Sequence, residues 1–311
     1  MLVGMELQLA YDVVDVFTDR PYAGNPLAVV HGTEGLSADE LLALAREFNL
    51  SETAFPTPRA DGRAYDVRIF TPAVEIPFAG HPTVGTAWVL RQQAALLTDD
   101  VVQHCGVGPV PVRVAAEGAE LAATPRHVQP RADAAALAES LGLPAADAVG
   151  VAYEASCGLG WLFVLARPGA VVRSRWPGPD WSPQMAGPDP VGGLVVAEVE
   201  AADDSDPGGA LAVHARVFCP EKQIVEDAAT GSAAAALGPV LVSASIAAAD
   251  GTTRYTISQG AEIGRPSMLE GRVEARDGRA VVVHVGGRVV RVARGHLVRP
   301  GQPPPPIGPA Q

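Results

Sequence analysis

Three side chains in the sequence could transfer protons, and each lies next to a turn or a helix end. Glu52 follows a predicted helix end near Asn49, His81 comes directly after Gly80, and Asp227 precedes an alanine-rich helix. A carboxylate can act first as a base and then as an acid. An unperturbed imidazole, with a pKa of about 6.5, suits proton transfer near neutral pH, and we expect His81 to be exposed at its turn. Structural roles are the alternatives: His81 could stabilise its turn, Asp227 could cap the next helix, and Glu52 could be a surface residue.

Two predicted helix starts could bind an anion, Gly80-His81-Pro82-Thr83 and Thr230-Gly231-Ser232. The first turn of a helix offers backbone N–H groups and a partial positive charge, and glycine lets a ligand approach the backbone closely. If the two halves of the chain face each other, Gly80, Gly231 and Ser232 would point into one cleft and could hold a carboxylate there. Taken alone, Gly231 and Ser232 could equally form an ordinary helix start.

An internal repeat indicates that the chain is built from two related halves. The segment 68–72, with Ile76, matches the segment 216–220, with Ile224, at a constant offset of 148 positions. In each copy an Arg-x-Phe-x-Pro element leads to a small-residue turn and then to a helix containing alanine. A period near half the chain length predicts duplication of a whole domain. Many short β-type runs and few helices predict that each half is a curved sheet around one helix.

Local signals predict several individual elements. Ser37 and Glu40 fit a capping box that starts a helix ending near Asn49. A strand is predicted at 65–70, a helix at 83–92, and a closing hairpin around Gly286-Gly287 that joins strands at 280–285 and 289–292. The segment 176–190 is predicted to be an irregular surface loop, and the proline-rich end, 301–311, an extended mobile tail.

Bulk composition excludes several classes of protein. The 311 residues are 48% hydrophobic and carry a net charge of −12, which argues against disorder and against a nucleic-acid or anionic-membrane surface. The three cysteines, Cys105, Cys157 and Cys219, form no CxxC pair, so neither a zinc site nor a disulfide framework is supported. The first ten residues do not fit a signal peptide, and no apolar run fits a transmembrane helix. We therefore expect a cytoplasmic protein.

Taken together, these motifs closely resemble the PhzF-like family of phenazine-biosynthesis isomerases, over residues 11–298. The resemblance rests on the stretches 14–17, 24–29, 50–55, 70–72, 78–83, 226–233, 259–260 and 264–267. It implies an α+β, diaminopimelate-epimerase-like fold with two pseudo-symmetric lobes, each a barrel-like sheet around a central helix. With the repeat, it predicts an N-terminal lobe at 1–126, joined by the segment near 288–300, and a C-terminal lobe at 127–287.

The resemblance also implies a function and roles for individual residues. The family's best-known activity isomerises dihydro-hydroxyanthranilate without a cofactor, and its members commonly form homodimers. By position, Glu52 resembles the residue that moves the proton, with His81 and Asp227 as the accompanying polar groups and Gly80, Gly231 and Ser232 as the substrate-binding turn. We therefore expect a small carboxylic-acid substrate, no cofactor, no metal, a homodimer, and no nucleic-acid or membrane partner.

Other activities on the same scaffold stay open at this point. Related amino-acid epimerases use two cysteines, one at each helix start, where this chain has Ala79 and Ala228. A two-thiol racemase is therefore not expected, and Cys219 is expected to be buried and inert. An epimerase of another kind, a C–C-bond hydrolase and a non-catalytic binding protein are the alternatives. Glu75 and Glu226, just upstream of the two turns, are expected to have structural roles, as caps or in ion pairs.

Overall fold

A computed structural model describes residues 8–179, 181, 186–187, 189, 191–200, 209–219 and 224–301. The strands of the first half are β1 (Gln8–Val16), β2 (Asn25–Val30), β3 (Glu52–Pro58), β4 (Ala64–Phe70), β5 (Glu75–Ile76), β6 (Asp100–Cys105), β7 (Gly108–Val114) and β8 (Gly118–Ala123). Those of the second half are β9 (His127–Arg131), β10 (Ala152–Ser156), β11 (Gly160–Leu165), β12 (Val191–Glu200), β13 (Leu211–Cys219), β14 (Ile224–Asp227), β15 (Gly251–Gln259), β16 (Ser267–Arg276) and β17 (Arg279–Val298). The helices are α1 (Ala38–Phe48), α2 (Gly80–Gln92), α3 (Ala134–Ser140) and α4 (Gly231–Ser243).

The strands form two lobes that share β17. In the first lobe, the pairings β1–β2–β3–β4–β6–β7–β8–β17 return to β1 and close a barrel of eight strands. In the second lobe, a curved sheet runs in the order β9–β10–β11–β12–β13–β15–β16–β17. The first part of β17 pairs with both β8 and β16, and its second part pairs with β1. The predicted architecture of two sheet lobes is therefore confirmed.

Each lobe has a buried helix at its centre. The eleven residues from Gly80 to Leu90 of α2 are all buried, and α4 is buried over nearly its whole length. Helices that are buried on all sides belong to a core and not to a surface. Tyr65 donates from its hydroxyl to Gln103 Oε1 (2.9 Å) and lies 3.5 Å from the Thr83 carbonyl, and Tyr255 donates to the Ala234 carbonyl (2.9 Å). These carbonyls belong to the fourth residue of α2 and of α4, so a buried tyrosine anchors the first turn of each central helix.

Helix α1 lies on the outside of the barrel and begins and ends where the sequence predicts. Ser37 accepts from the Glu40 backbone N–H, the Glu40 side chain accepts from the Ser37 N–H, and Asn49 ends the helix in the left-handed conformation. The capping box is therefore confirmed. Because the chain turns at Asn49, Glu52 becomes the first residue of β3.

The predicted hairpin around Gly286-Gly287 is wrong, because β17 runs unbroken from Arg279 to Val298. Neither glycine has a positive φ. A Cβ on Gly286 would lie 2.6 Å from the Ala119 carbonyl oxygen, and one on Gly287 would lie 2.7 Å from the Phe17 ring. These glycines therefore allow close contact between backbones where the lobes join, and they do not form a turn.

Part of the sequence lies outside the described residues. The segments 182–185, 201–208 and 302–311 are among them, so most of the predicted tail and the centre of the predicted 176–190 loop are not described. Within the part that is described, none of the helices combines the length and the apolar character needed to span a membrane.

Candidate active site

The two central helices meet at their N-termini. A Cβ built on Gly80 would lie 2.8 Å from the α carbon of Gly231 and 3.1 Å from the Ser232 backbone nitrogen. Neither N-cap residue, Ala79 or Thr230, caps its own helix with its side chain, and neither helix has an acidic residue in its first turn. Two positive helix ends therefore face one cleft, an arrangement that favours an anion.

Glu52 and His81 lie together in this cleft. Their side chains are 9% and 4% exposed, and His81 Nε2 is 3.6 Å from Glu52 Oε2. The prediction that His81 is exposed is wrong. Helix α2 begins at Gly80, so His81 lies in its first turn, and the N-terminus of α4 packs against this turn. Burial of the pair keeps most water away from these two groups, which strengthens their electrostatic interaction with a bound ligand.

Asp227 lies at the end of β14, on the opposite side of the cleft. Its Oδ2 accepts from the Thr230 hydroxyl (2.7 Å), and its Oδ1 accepts from the Asn25 amide (2.9 Å). The N-cap residue of α4 is Thr230, and Asp227 reaches this helix end through the hydroxyl of Thr230. Gln259 completes the arrangement by donating to the Asp227 carbonyl and to the Thr230 hydroxyl.

The lining of the cleft brings together all six residues singled out from the sequence: Glu52, Gly80, His81, Asp227, Gly231 and Ser232. Phe78 and Leu159 add apolar wall on either side. No individual role was predicted from the sequence for Asn25 or Gln259, whereas Thr230 was part of a predicted helix start. Asn25 and Gln259 belonged to recognised motifs, but their contact with Asp227 joins residues that are far apart in the chain.

Cys219 also lines the cleft, which the sequence analysis did not expect. Its burial, at 2% exposure, agrees with the prediction. It is the last residue of β13 and matches Thr71 in the repeat. The residues directly before the two helices are Ala79 and Thr230, and Ala228 lies two residues before Thr230. The cleft therefore does not contain a pair of facing thiols at the helix starts.

The cleft is nearly closed. It leaves about 20 Å³ of room for the centre of a water-sized sphere, and one water needs roughly 10–15 Å³ by this measure. A ring-sized ligand would therefore need a wider cleft than this one.

Two ion pairs brace the strands that lead to the turns. Arg68 forms a bidentate salt bridge with Glu75, and Arg216 forms a bidentate salt bridge with Glu226. Of the two structural roles expected for Glu75 and Glu226, caps or ion pairs, both glutamates form ion pairs. The second pair is the more buried, with side chains 13% and 5% exposed.

Across the described ranges no group of three or more histidine, cysteine, aspartate or glutamate side chains is arranged to hold a metal ion. The chemistry that the cleft can support with its own residues is proton transfer by Glu52 and His81, beside an anion held at the helix ends.

Comparison with known proteins agrees with this architecture. An uncharacterized isomerase of Mesorhizobium japonicum is 36% identical over 301 residues, covering 92% of this chain and 98% of that protein. The trans-2,3-dihydro-3-hydroxyanthranilate isomerase of Pseudomonas aeruginosa is 33% identical, covering 92% and 98%. A Bacillus anthracis phenazine biosynthesis protein of the PhzF family superposes with a TM-score of 0.76 at 20% identity, covering 94% and 99%. The family model described as phenazine biosynthesis-like protein matches residues 14–295. The chain therefore belongs to the PhzF-like, phenazine biosynthesis-like family.

Proposed function

We propose that this protein is a cofactor-independent isomerase that moves a proton and a double bond on a small unsaturated cyclic carboxylic acid. The observation that carries the proposal is the buried Glu52–His81 pair, 3.6 Å apart, beside two helix N-termini that meet in one cleft. A base, an acid and an anion site within one closed cleft are the parts that such a reaction needs.

In the proposed reaction, Glu52 takes a proton from a carbon of the substrate, and the electron pair of the broken C–H bond shifts along the conjugated system. The protonated Glu52 then gives the proton to a second carbon, so no atom is gained or lost. A single carboxylate can do both steps if the two carbons lie on the same face of the ring. His81 and Asp227 would orient the substrate and help to move protons on its polar groups.

The helix N-termini would bind the carboxylate and oppose the negative charge that develops on it. Two positive helix ends in contact repel each other, and an anion bound beside both of them relieves that repulsion. The backbone N–H groups at Gly80 and Gly231 and the hydroxyl of Ser232 would supply the donors. Because these donors belong to both lobes, binding of the acid would also favour the closed cleft.

The similarity to the Pseudomonas aeruginosa isomerase supports a substrate of the dihydro-hydroxyanthranilate type and a place in secondary metabolism, such as phenazine or other antibiotic biosynthesis. By the same family resemblance we propose a homodimer in the cytoplasm. The net charge of −12 disfavours nucleic acid or an anionic membrane as partner. Sedimentation of the purified protein tests the dimer.

The test is an incubation with a panel of small unsaturated cyclic acids, followed by mass spectrometry and chiral chromatography. Isomerisation gives a product of unchanged mass with a shifted double bond, whereas a C–C-bond hydrolase gives products of changed mass. An epimerase would invert one stereocentre without moving the double bond. Binding without turnover of any acid would favour the non-catalytic alternative and contradict the proposal.

A further inference from the structure

Two sequence motifs that the proposed mechanism leaves without a role meet where the lobes touch. One is Gly24-Asn25-Pro26, at the start of β2 in the first lobe, and the other is Gly264-Arg265-Pro266, between β15 and β16 of the second. We call this contact the lobe junction, formed by Asp15, Ala23, Gly24, Asn25, Arg265 and Pro266. None of these residues lines the cleft.

Arg265 holds the first-lobe turn through two nitrogens of its guanidinium group. Its Nη2 donates to Asp15 Oδ1 (2.6 Å) and to the Ala23 carbonyl (2.9 Å), and its Nε donates to the Gly24 carbonyl (3.0 Å). The Gly24 N–H donates in return to the Pro266 carbonyl (3.0 Å). Asp15 is 2% exposed, so this ion pair is buried on its acidic side.

Gly24 has φ +67°, and a Cβ there would lie 2.3 Å from the Val16 carbonyl oxygen, so the turn is tightly constrained.

The next residue, Asn25, reaches across the junction into the second lobe. It is 1% exposed, and its amide nitrogen donates to Asp227 Oδ1 (2.9 Å) and to the Ala229 carbonyl (2.8 Å). Its amide oxygen accepts from the Ser51 hydroxyl (3.2 Å), one residue before Glu52. Asn25 therefore connects the strand start that carries Glu52 with the segment that carries Asp227.

We propose that Asn25, held in place by Arg265, is a positioning residue for Asp227. Arg265 fixes the backbone at Gly24, this fixes the Asn25 amide, and the amide fixes the carboxylate of Asp227 and the first turn of α4. The inference rests on the proposed function for its kinetic readout, but the geometry that it describes can also be measured without a substrate.

The variants are Asn25→Ala, Arg265→Gln and the double variant, with Arg59→Gln as the matched control. Arg59 also donates to an aspartate, Asp66, through its Nε and Nη2, but on the exposed face of the barrel. The substrate is the acid that wild type turns over. We expect each single variant at the junction to lower kcat about ten-fold or more and to leave KM within about three-fold of wild type. The reason is that each variant loses a hydrogen bond to a carboxylate, that of Asp227 for Asn25 and that of Asp15 for Arg265. The control should retain the wild-type values.

The double variant separates positioning from general weakening. If Arg265 acts through Asn25, the double variant has the kcat of Asn25→Ala alone, whereas independent effects multiply. Amide hydrogen exchange without ligand provides the second readout, and we expect faster exchange over 227–232 in both single variants and not in Arg59→Gln.

Multiplying effects, an unchanged kcat in Asn25→Ala, or unchanged exchange at 227–232 would overturn the positioning role. If wild type turns over none of the acids, the proposed function fails, and the exchange experiment still decides the role of Asn25.

Discussion

Gly80 and Gly231 bring two central helices into backbone contact, with only 2.8 Å between the position of a Cβ on Gly80 and the α carbon of Gly231. No side chain larger than hydrogen fits between the lobes at this point. The contact places both helix N-termini in one cleft, with Glu52 and His81 beside them. It therefore determines both the closed form of the cleft and the place where an anion would bind.

Gly80→Ala should destabilise the protein by about 1–3 kcal/mol, because the added methyl group overpacks this contact. On helix propensity alone, alanine would stabilise the helix by about 1 kcal/mol. Gly231→Ala should have the smaller effect, since its Cβ would have slightly more room, 3.1 Å from the Gly80 α carbon. The free energy of unfolding in urea measures both effects. A stabilised Gly80→Ala variant would show that the helix ends do not touch.

The two ion pairs of the repeat should contribute unequally to stability. Glu226→Gln should cost about 3 kcal/mol, since it leaves Arg216 buried without its charged partner. Glu75→Gln should cost less than about 1 kcal/mol, since both side chains of that pair are about two-fifths exposed. The two variants make the same substitution in matching ion pairs, so each is the control for the other. Equal losses in urea unfolding would contradict the difference in burial.

Glu154 should make the stability depend on pH in the acid range. Its side chain is fully buried, which would raise the carboxyl pKa, but the N–H groups of Ala186 and Gly187 and the charge of His127 outweigh burial and lower it. A carboxyl whose folded-state pKa is depressed contributes stability above its unfolded pKa, about 4.3, and this is lost as the pH falls through the folded value.

We therefore expect Glu154→Gln to lose about 1–3 kcal/mol at pH 7. The difference from wild type should shrink below about pH 4.3 as the wild-type carboxyl is protonated. Urea unfolding of both proteins between pH 7 and pH 3 measures it. A difference that is constant over this range would show that the charge of Glu154 is not what matters.

Features set by nearby residues could be predicted from the sequence. The capping box at Ser37 and Glu40 is local, so α1 and the position of Glu52 directly after it were correct. The Arg-x-Phe element repeats because both lobes need the same braced strand before a helix. The six proposed site residues follow from motifs of this kind and from the family resemblance.

Features that depend on contacts between distant residues could not be predicted in this way. The burial of His81 follows from contact with α4, and Cys219 reaches the cleft because β13 ends there. In the sequence, Gly286-Gly287 resembles a turn, but in the structure these glycines allow neighbouring backbones to approach closely. The bond from Asn25 to Asp227 joins residues 202 positions apart, so no local pattern indicates it.

The most direct test of proton transfer at Glu52 is uptake of solvent deuterium into the carbon skeleton of dihydro-hydroxyanthranilate, measured by mass spectrometry. The samples are wild type, Glu52→Gln and the control Glu75→Gln, which removes a carboxylate just outside the cleft. The proton on the Glu52 carboxyl exchanges with solvent in a fraction of turnovers before the second transfer, so we predict uptake with wild type and with Glu75→Gln, and none with a folded Glu52→Gln variant. Undiminished uptake with Glu52→Gln would contradict this prediction.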